Sequence, residues 1–166
     1  MIDAELDALA VRVGAALQAR GLLLATAESC TGGWVAEAVT AISGSSAWFE
    51  RGFVTYSNAA KESMLGVSGE TLAAHGAVSE PVAREMAAGA VANSAAQVAL
   101  SITGVAGPTG GTPDKPVGMV CFGWAGAGQA DVRVDTRHFA GDRAAVRRQA
   151  VSHALTGLLA LLETPG

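Results

Sequence analysis

The chain of 166 residues is half hydrophobic, 16% charged and 5% aromatic, and carries a formal net charge of −4. That composition excludes general disorder and is enough for one domain to bury a core without disulfides or metal. With Lys+Arg 11 against Asp+Glu 15 and no basic run, no nucleic-acid footprint is expected, and no stretch of ~18 consecutive apolar residues offers a membrane span.

Leu6, Leu9, Val13 and Leu17 recur at helical spacing, and Gly21 follows Arg20 as a helix-ending residue. This segment opens with acids and lacks a basic n-region, so no secretory signal is expected and a cytoplasmic location is. "LLLAT", between Gly21 and Glu28–Ser29, reads as a buried strand, and Thr31 is expected to cap a helix through "GGWVAEAVTAI". "GFVTYS" (Gly52–Ser57) predicts a second strand, with Asn58 as the N-cap of "AAKESML". Gly66 and Gly76 punctuate the middle, and Ser79–Glu80–Pro81 starts an Ala-rich helix running to Ser94.

"QVALSIT" is the third clear strand, followed by a glycine- and proline-rich loop from Gly104 to Pro116. "VGMVCFGWA" and "DVRVDTRHF" flank the turn "GAGQ" and predict an antiparallel hairpin. Asp142 begins a last helix whose apolar side is Val146, Ala150, Leu155, Leu158, Leu159 and Leu162. Strands alternating with helices, then a hairpin and a terminal helix, predict one α/β domain over residues 1–166. Its architecture should be a three-layer α/β/α sandwich around a mixed, mainly parallel sheet.

Glu28, Ser29 and Cys30 stand together where the first strand hands over to a helix. A nucleophile at such a turn is exposed above the sheet, and the first helical N–H groups can receive an oxyanion. Ser29 and Cys30 both qualify by position, while simple helix capping by Ser29 or Thr31 is the commoner reason for such residues at a helix start. In "TYSNAAK", Tyr56 is the single tyrosine and Lys61 one of two lysines. Tyr56 is expected to close a strand and Lys61 to enter the next helix, where a desolvated lysine could act as a base. From pattern alone, a solvated helix face for Lys61 and an ordinary strand position for Tyr56 are the simpler readings. "TGVAGPTGGTPDKP" could form an anion-binding nest or a plain surface loop. Arg143, Arg147 and Arg148 in "GDRAAVRRQ" could hold a phosphate or carboxylate, or simply face solvent. Cys30 and Cys121 match no zinc spacing and His75, His138 and His153 are scattered, so no metal site is expected.

Taken together, "TAESCTGGWVAEAVT", "GSSAWFERGFVTYSNAAK", "HGAVSEPVAREMA", "SITGVAGPTGG", "KPVGMV" and "GDRAAVRRQA" resemble the CinA C-terminal-domain family over nearly the whole chain. The resemblance implies the same α/β/α sandwich. It also implies the reaction of the family's stand-alone members, which hydrolyse the carboxamide of nicotinamide mononucleotide to nicotinate mononucleotide and ammonia in NAD recycling. Longer members add an N-terminal domain resembling molybdopterin-cofactor enzymes; no counterpart, and no pyrophosphatase activity, is expected here.

The family's catalytic serine falls on Ser29, its tyrosine on Tyr56 and its lysine on Lys61. Ser29 would attack the amide carbon, Lys61 accept the proton, Tyr56 orient or relay it, and helix N-terminal amides hold the oxyanion. Substrate contacts are expected from Glu28, Cys30, Thr31, Gly32, Thr103, Gly104, Gly107, Gly110 and Arg143. No metal or organic cofactor is implied. The expected partners are the mononucleotide and another copy of the chain in a homo-oligomer such as a dimer, with no nucleic acid and no membrane. An amidase or esterase acting on another small substrate, or a non-catalytic regulatory module, stays open.

Overall fold

The computed structural model describes residues 3–164, so the outermost ends of the expected 1–166 domain lie outside the described residues. In chain order the elements are α1 (Ala4–Arg20), β1 (Leu24–Glu28), α2 (Trp34–Thr40), β2 (Phe49–Val54), α3 (Asn58–Leu65), α4 (Gly69–His75), α5 (Glu80–Ala92), β3 (Val98–Gly104), β4 (Met119–Gly126), β5 (Arg133–His138) and α6 (Arg143–Glu163). The strands form one sheet in the order β2-β1-β3-β4-β5. β1 pairs in parallel with β2 and β3, and β4 pairs antiparallel with β3 and β5. Four strands therefore share one direction and β4 alone opposes them, which makes the sheet mixed and mainly parallel.

Alternation along β1 sends its residues to two cores. Leu24 joins α1, α2 and α6, where Leu6, Val13, Leu17, Val35 and Leu155 are all but inaccessible. Ala25 and Ala27 join α3, α4 and α5 through Leu65, Leu72, Val82 and Met86. With both faces covered, every residue of β1 is buried. Small residues let the second layer approach closely: a Cβ on Gly89 of α5 would lie 2.0 Å from the Leu65 carbonyl oxygen of α3.

Several predicted boundaries hold. Gly21 ends α1 in the left-handed region at φ 65, Ser79 caps α5 with Pro81 in its first turn, and the Asp142 carboxylate accepts from the Ala145 amide at the start of α6. Others shift. β1 begins at Leu24 and runs through Glu28, and β2 ends at Val54, so Tyr56 lies beyond the strand it was expected to close. The cap of α3 is Ser57, whose extended backbone lets its hydroxyl accept from the Ala60 amide, while Asn58 is already helical. α5 ends at Ala92, two residues before Ser94. α4, absent from the sequence reading, has seven residues and only Leu72 buried, too little apolar periodicity to announce a helix.

Because β1, β2 and β3 run in parallel, their carboxyl ends reach the same edge of the sheet, with Glu28 level with Val54 on one side and Ile102 on the other. From that edge the chain leaves β1 onto the α2 face and β2 onto the α3 face. Diverging connections of this kind open a crevice beyond the strand ends.

Candidate active site

Ser29 is the first residue past β1 and stays tied to the sheet, its amide donating to the Ile102 carbonyl at 3.0 Å. The chain then turns sharply, the Gly32 amide reaching back to the Ser29 carbonyl at 3.0 Å and the Trp34 amide to the Thr31 carbonyl at 3.1 Å. Gly32 and Gly33 take φ of 60 and 104, conformations that a side chain resists and glycine accepts.

Lys61 comes from α3 and is only 1% exposed, which overturns the solvated-face reading. Its Nζ donates to Ser29 Oγ at 3.0 Å, to the Thr55 carbonyl at 2.9 Å and to the Tyr56 carbonyl at 3.3 Å. No carboxylate among the described residues pairs with it. Burial therefore holds its pKa below the ordinary lysine value, with only a smaller opposing influence from the Cys30 sulfur. For Cys30 the same desolvation works the other way and pushes the thiol up to about 11, against a smaller lowering by the Arg147 charge. Of the two candidates at the turn, the serine faces an amine and the cysteine stays a buried thiol.

Tyr56 contributes in two places. Its backbone carbonyl lies near Lys61 and 3.5 Å from Ser29 Oγ, while its exposed phenol accepts from Arg143 Nη2 at 3.3 Å. Arg143, the first residue of α6, also donates through Nη1 to the Gly107 carbonyl at 2.9 Å, so it bridges the phenol and the glycine-rich loop across the mouth of the cleft. Thr103 is buried and its hydroxyl donates to the Ala77 carbonyl at 2.9 Å, which draws the segment between α4 and α5 over the cavity.

These residues enclose a cavity of about 390 Å³ lined by Ser29, Cys30, Tyr56, Lys61, Thr103, Gly104, Gly107, Gly110 and Arg143. Its size suits a small-molecule ligand. Asn58, Ala77 and Val78 also line it and were missed, as were Val105, Ala106 and Thr109 as individual contacts within the expected loop. In sequence Asn58 reads as a cap, and the Ala77–Val78 segment is drawn to the cavity by the long-range Thr103 contact.

Glu28, Thr31 and Gly32 do not line the cavity, contrary to expectation. The Glu28 carboxylate points back under the turn, accepting from the Thr31 hydroxyl at 2.6 Å and from the Val35 and Ala36 amides at 2.9 and 3.1 Å. It thus caps α2 from seven residues upstream, the task expected of Thr31. The physical cause is Gly33, which precedes the helix in a left-handed conformation with no side chain to cap it. With the Trp34, Val35 and Ala36 amides all engaged, the first helical N–H groups are not available to an oxyanion. The Cys30 and Thr31 amides, just after the serine, donate to no other residue among those described. Nor do those of Ala106, Gly107, Thr109 and Gly110 in the loop. No group of three or more His, Cys, Asp and Glu side chains among the described residues is arranged to hold a metal ion. No described helix is long and apolar enough to cross a membrane.

A family model of the CinA C-terminal domain matches residues 6–162. The chain is 60% identical over 159 residues to the nicotinamide-nucleotide amidohydrolase PncC of Escherichia coli, covering 95% of both chains. To the PncC of Pseudomonas putida it is 52% identical over 153 residues, covering 92% of this chain and 94% of the other. The crystal structure of the competence/damage inducible protein CihA from Agrobacterium tumefaciens matches with a TM-score of 0.93 at 44% identity, over 97% of this chain and 98% of that one.

Proposed function

The chain belongs to the CinA C-terminal domain family, and on that premise we propose that it hydrolyses the carboxamide of nicotinamide mononucleotide, with Ser29 as nucleophile and Lys61 as base. The observation that carries this reading is the buried 3.0 Å contact between Lys61 Nζ and Ser29 Oγ. Similarity to the PncC enzymes supports the choice of substrate.

The surroundings of Lys61 suit a neutral amine. In the neutral amine two N–H bonds stay on the Thr55 and Tyr56 carbonyls, and the 3.0 Å contact to Ser29 Oγ reverses so that the lone pair accepts the hydroxyl proton. As Ser29 Oγ bonds to the amide carbon, its proton passes to Lys61 and the carbonyl electrons form an oxyanion. The amide of Cys30, which lines the cavity beside the serine, is the donor nearest in sequence to receive it, and one well-aimed donor is typically worth about 10²–10³ in rate. The resulting ammonium returns its proton to the departing nitrogen, the C–N bond breaks and ammonia leaves. Lys61 then takes a proton from water, whose oxygen attacks the acyl carbon, and nicotinate mononucleotide departs as Ser29 regains its proton.

Arg143 and the free amides of the Gly104–Gly110 loop would hold the phosphate, with the Tyr56 phenol oriented by the same guanidinium. That assignment moves Tyr56 from proton relay to substrate positioning, its main-chain oxygen serving the dyad. A cytoplasmic location and assembly as a homo-oligomer such as a dimer belong to the same proposal. Ammonia release from nicotinamide mononucleotide, with chromatographic identification of nicotinate mononucleotide, tests it directly. Turnover of a different amide or an ester, with the mononucleotide left intact, would replace the substrate but keep the nucleophile.

A further inference from the structure

Arg147 lies behind the nucleophile, outside the cavity lining. It projects partly buried from α6 with its guanidinium carbon 5.5 Å from the centre of the Trp34 ring. Its Nε donates to the Cys30 carbonyl at 3.0 Å and its Nη2 to the Thr31 carbonyl at 3.2 Å. The next arginine, Arg148, is paired with Asp3 and Glu5, whereas no carboxylate among the described residues lies within ion-pair distance of Arg147. A partly buried cation is thus committed to two carbonyls of the turn that carries Ser29.

A trans peptide is planar, so holding its carbonyl also directs the N–H on its opposite edge. The Cys30 carbonyl shares a peptide with the Thr31 amide. The Thr31 carbonyl shares one with the Gly32 amide, which closes the turn onto the Ser29 carbonyl and so orients the Cys30 amide as well. With glycine at both 32 and 33, the turn has few steric restraints of its own. The Arg147 charge is also felt there, as the main influence opposing the burial-driven rise of the Cys30 thiol.

We propose that Arg147 is a positioning residue for the Ser29 reaction: by gripping the Cys30 and Thr31 carbonyls it fixes the turn so that the Cys30 amide, on the cavity-lining residue after the serine, is aimed at the developing oxyanion. The inference rests on the reading of Ser29 as nucleophile given above.

Arg147→Gln and Arg147→Lys test it through two readouts. One is the steady-state kinetics of ammonia release from nicotinamide mononucleotide, with product affinity measured alongside. The other needs no substrate: the rate at which a small fluorophosphonate labels Ser29, read by mass spectrometry. There the Oγ–P bond forms, fluoride leaves, and the phosphonyl oxygen occupies the position of the oxyanion. Arg147→Gln should lower both kcat and the labelling rate by about 10²-fold, with KM and product affinity within about threefold of the unmodified protein. Arg147→Lys, which keeps the charge and can reach one carbonyl, should recover part of the loss.

Unchanged kcat and labelling, or KM and product affinity worsening in step with kcat, overturns the proposal. So does failure of both variants to fold, since Arg147 is then a structural pin. A protein labelled at Ser29 that leaves the mononucleotide intact removes the substrate reading, and labelling rates alone then decide the role of Arg147. A protein that does neither removes both.

Discussion

Ser29 and Cys30 are neighbours that both line the cavity, yet only Ser29 Oγ meets a buried amine. Cys30→Ala should keep activity within about threefold, because a thiol pushed up to about 11 offers almost no thiolate at neutral pH. Ser29→Ala should lose nearly all ammonia release; the reverse ranking in that assay removes the assignment. Lys61 adds a pH signature. Burial destabilises its ammonium, so the folded-state pKa falls below the ordinary value and the neutral base accumulates as pH rises through it. kcat/KM should therefore climb with pH and level off below about 10.4, where an exposed lysine titrates. Lys61→Met keeps an unbranched side chain without the amine and should abolish that limb while lowering kcat about 10³-fold. A wild-type profile still rising at pH 10 or beyond, within the protein's stable range, would point to an unshifted group.

At the scale of elements, two helices depend on contacts that helix propensity does not describe. Gly89 lies inside α5, where alanine would ordinarily stabilise by about 1 kcal/mol. Here the added Cβ would fall 2.0 Å from the Leu65 carbonyl oxygen, backbone that cannot rotate away. Gly89→Ala should therefore destabilise by about 2 kcal/mol, the order expected for overpacking. Urea unfolding gives the sign, and a stabilised variant contradicts the close α3–α5 contact. α2 depends on Glu28, whose two oxygens serve three donors. Glu28→Gln replaces one acceptor by an NH2 group facing donors, which should cost about 1–3 kcal/mol. Since the same carboxylate underlies the Ser29 turn, kcat should fall in this variant even where it remains fully folded, as measured below its unfolding transition.

For the whole molecule, three parallel strands end at one edge and α6 returns from the far end of the chain to supply Arg143 beside them. The proposed phosphate site is thus assembled from β3, the following loop and α6, separate from the Ser29–Lys61 pair. Removing the phosphate should weaken positioning without touching the chemistry. Nicotinamide riboside should show kcat/KM about 10²-fold below the mononucleotide, in line with loss of one or two charge-assisted hydrogen bonds. Arg143→Ala should shrink that preference chiefly by lowering kcat/KM for the mononucleotide. Equal kcat/KM values for the two compounds with the unmodified protein would remove the phosphate role from this loop.

Features governed by short-range chemistry are legible in the chain alone. The Gly21 terminus, the Ser79–Pro81 and Asp142 helix starts and the hairpin after Gly118 each follow from a few adjacent residues, and the order of elements then dictated the sandwich. The family motifs singled out Ser29, Tyr56 and Lys61 without any geometry. The surroundings of those side chains come from packing, because burial and hydrogen bonding depend on partners far away in the chain. Lys61 loses solvent through packing between layers, Glu28 turns inward because Gly33 leaves α2 without a side-chain cap, and the Tyr56 phenol turns to an arginine 87 positions away. In the sequence Arg147 reads as an anion-holding or solvent-facing base on a helix, with nothing to tie it to the Ser29 turn. Its place behind Ser29 emerges when α6 packs against the turn and brings its guanidinium to carbonyls 117 and 116 residues earlier, a distance over which local sequence pattern carries no information about orientation.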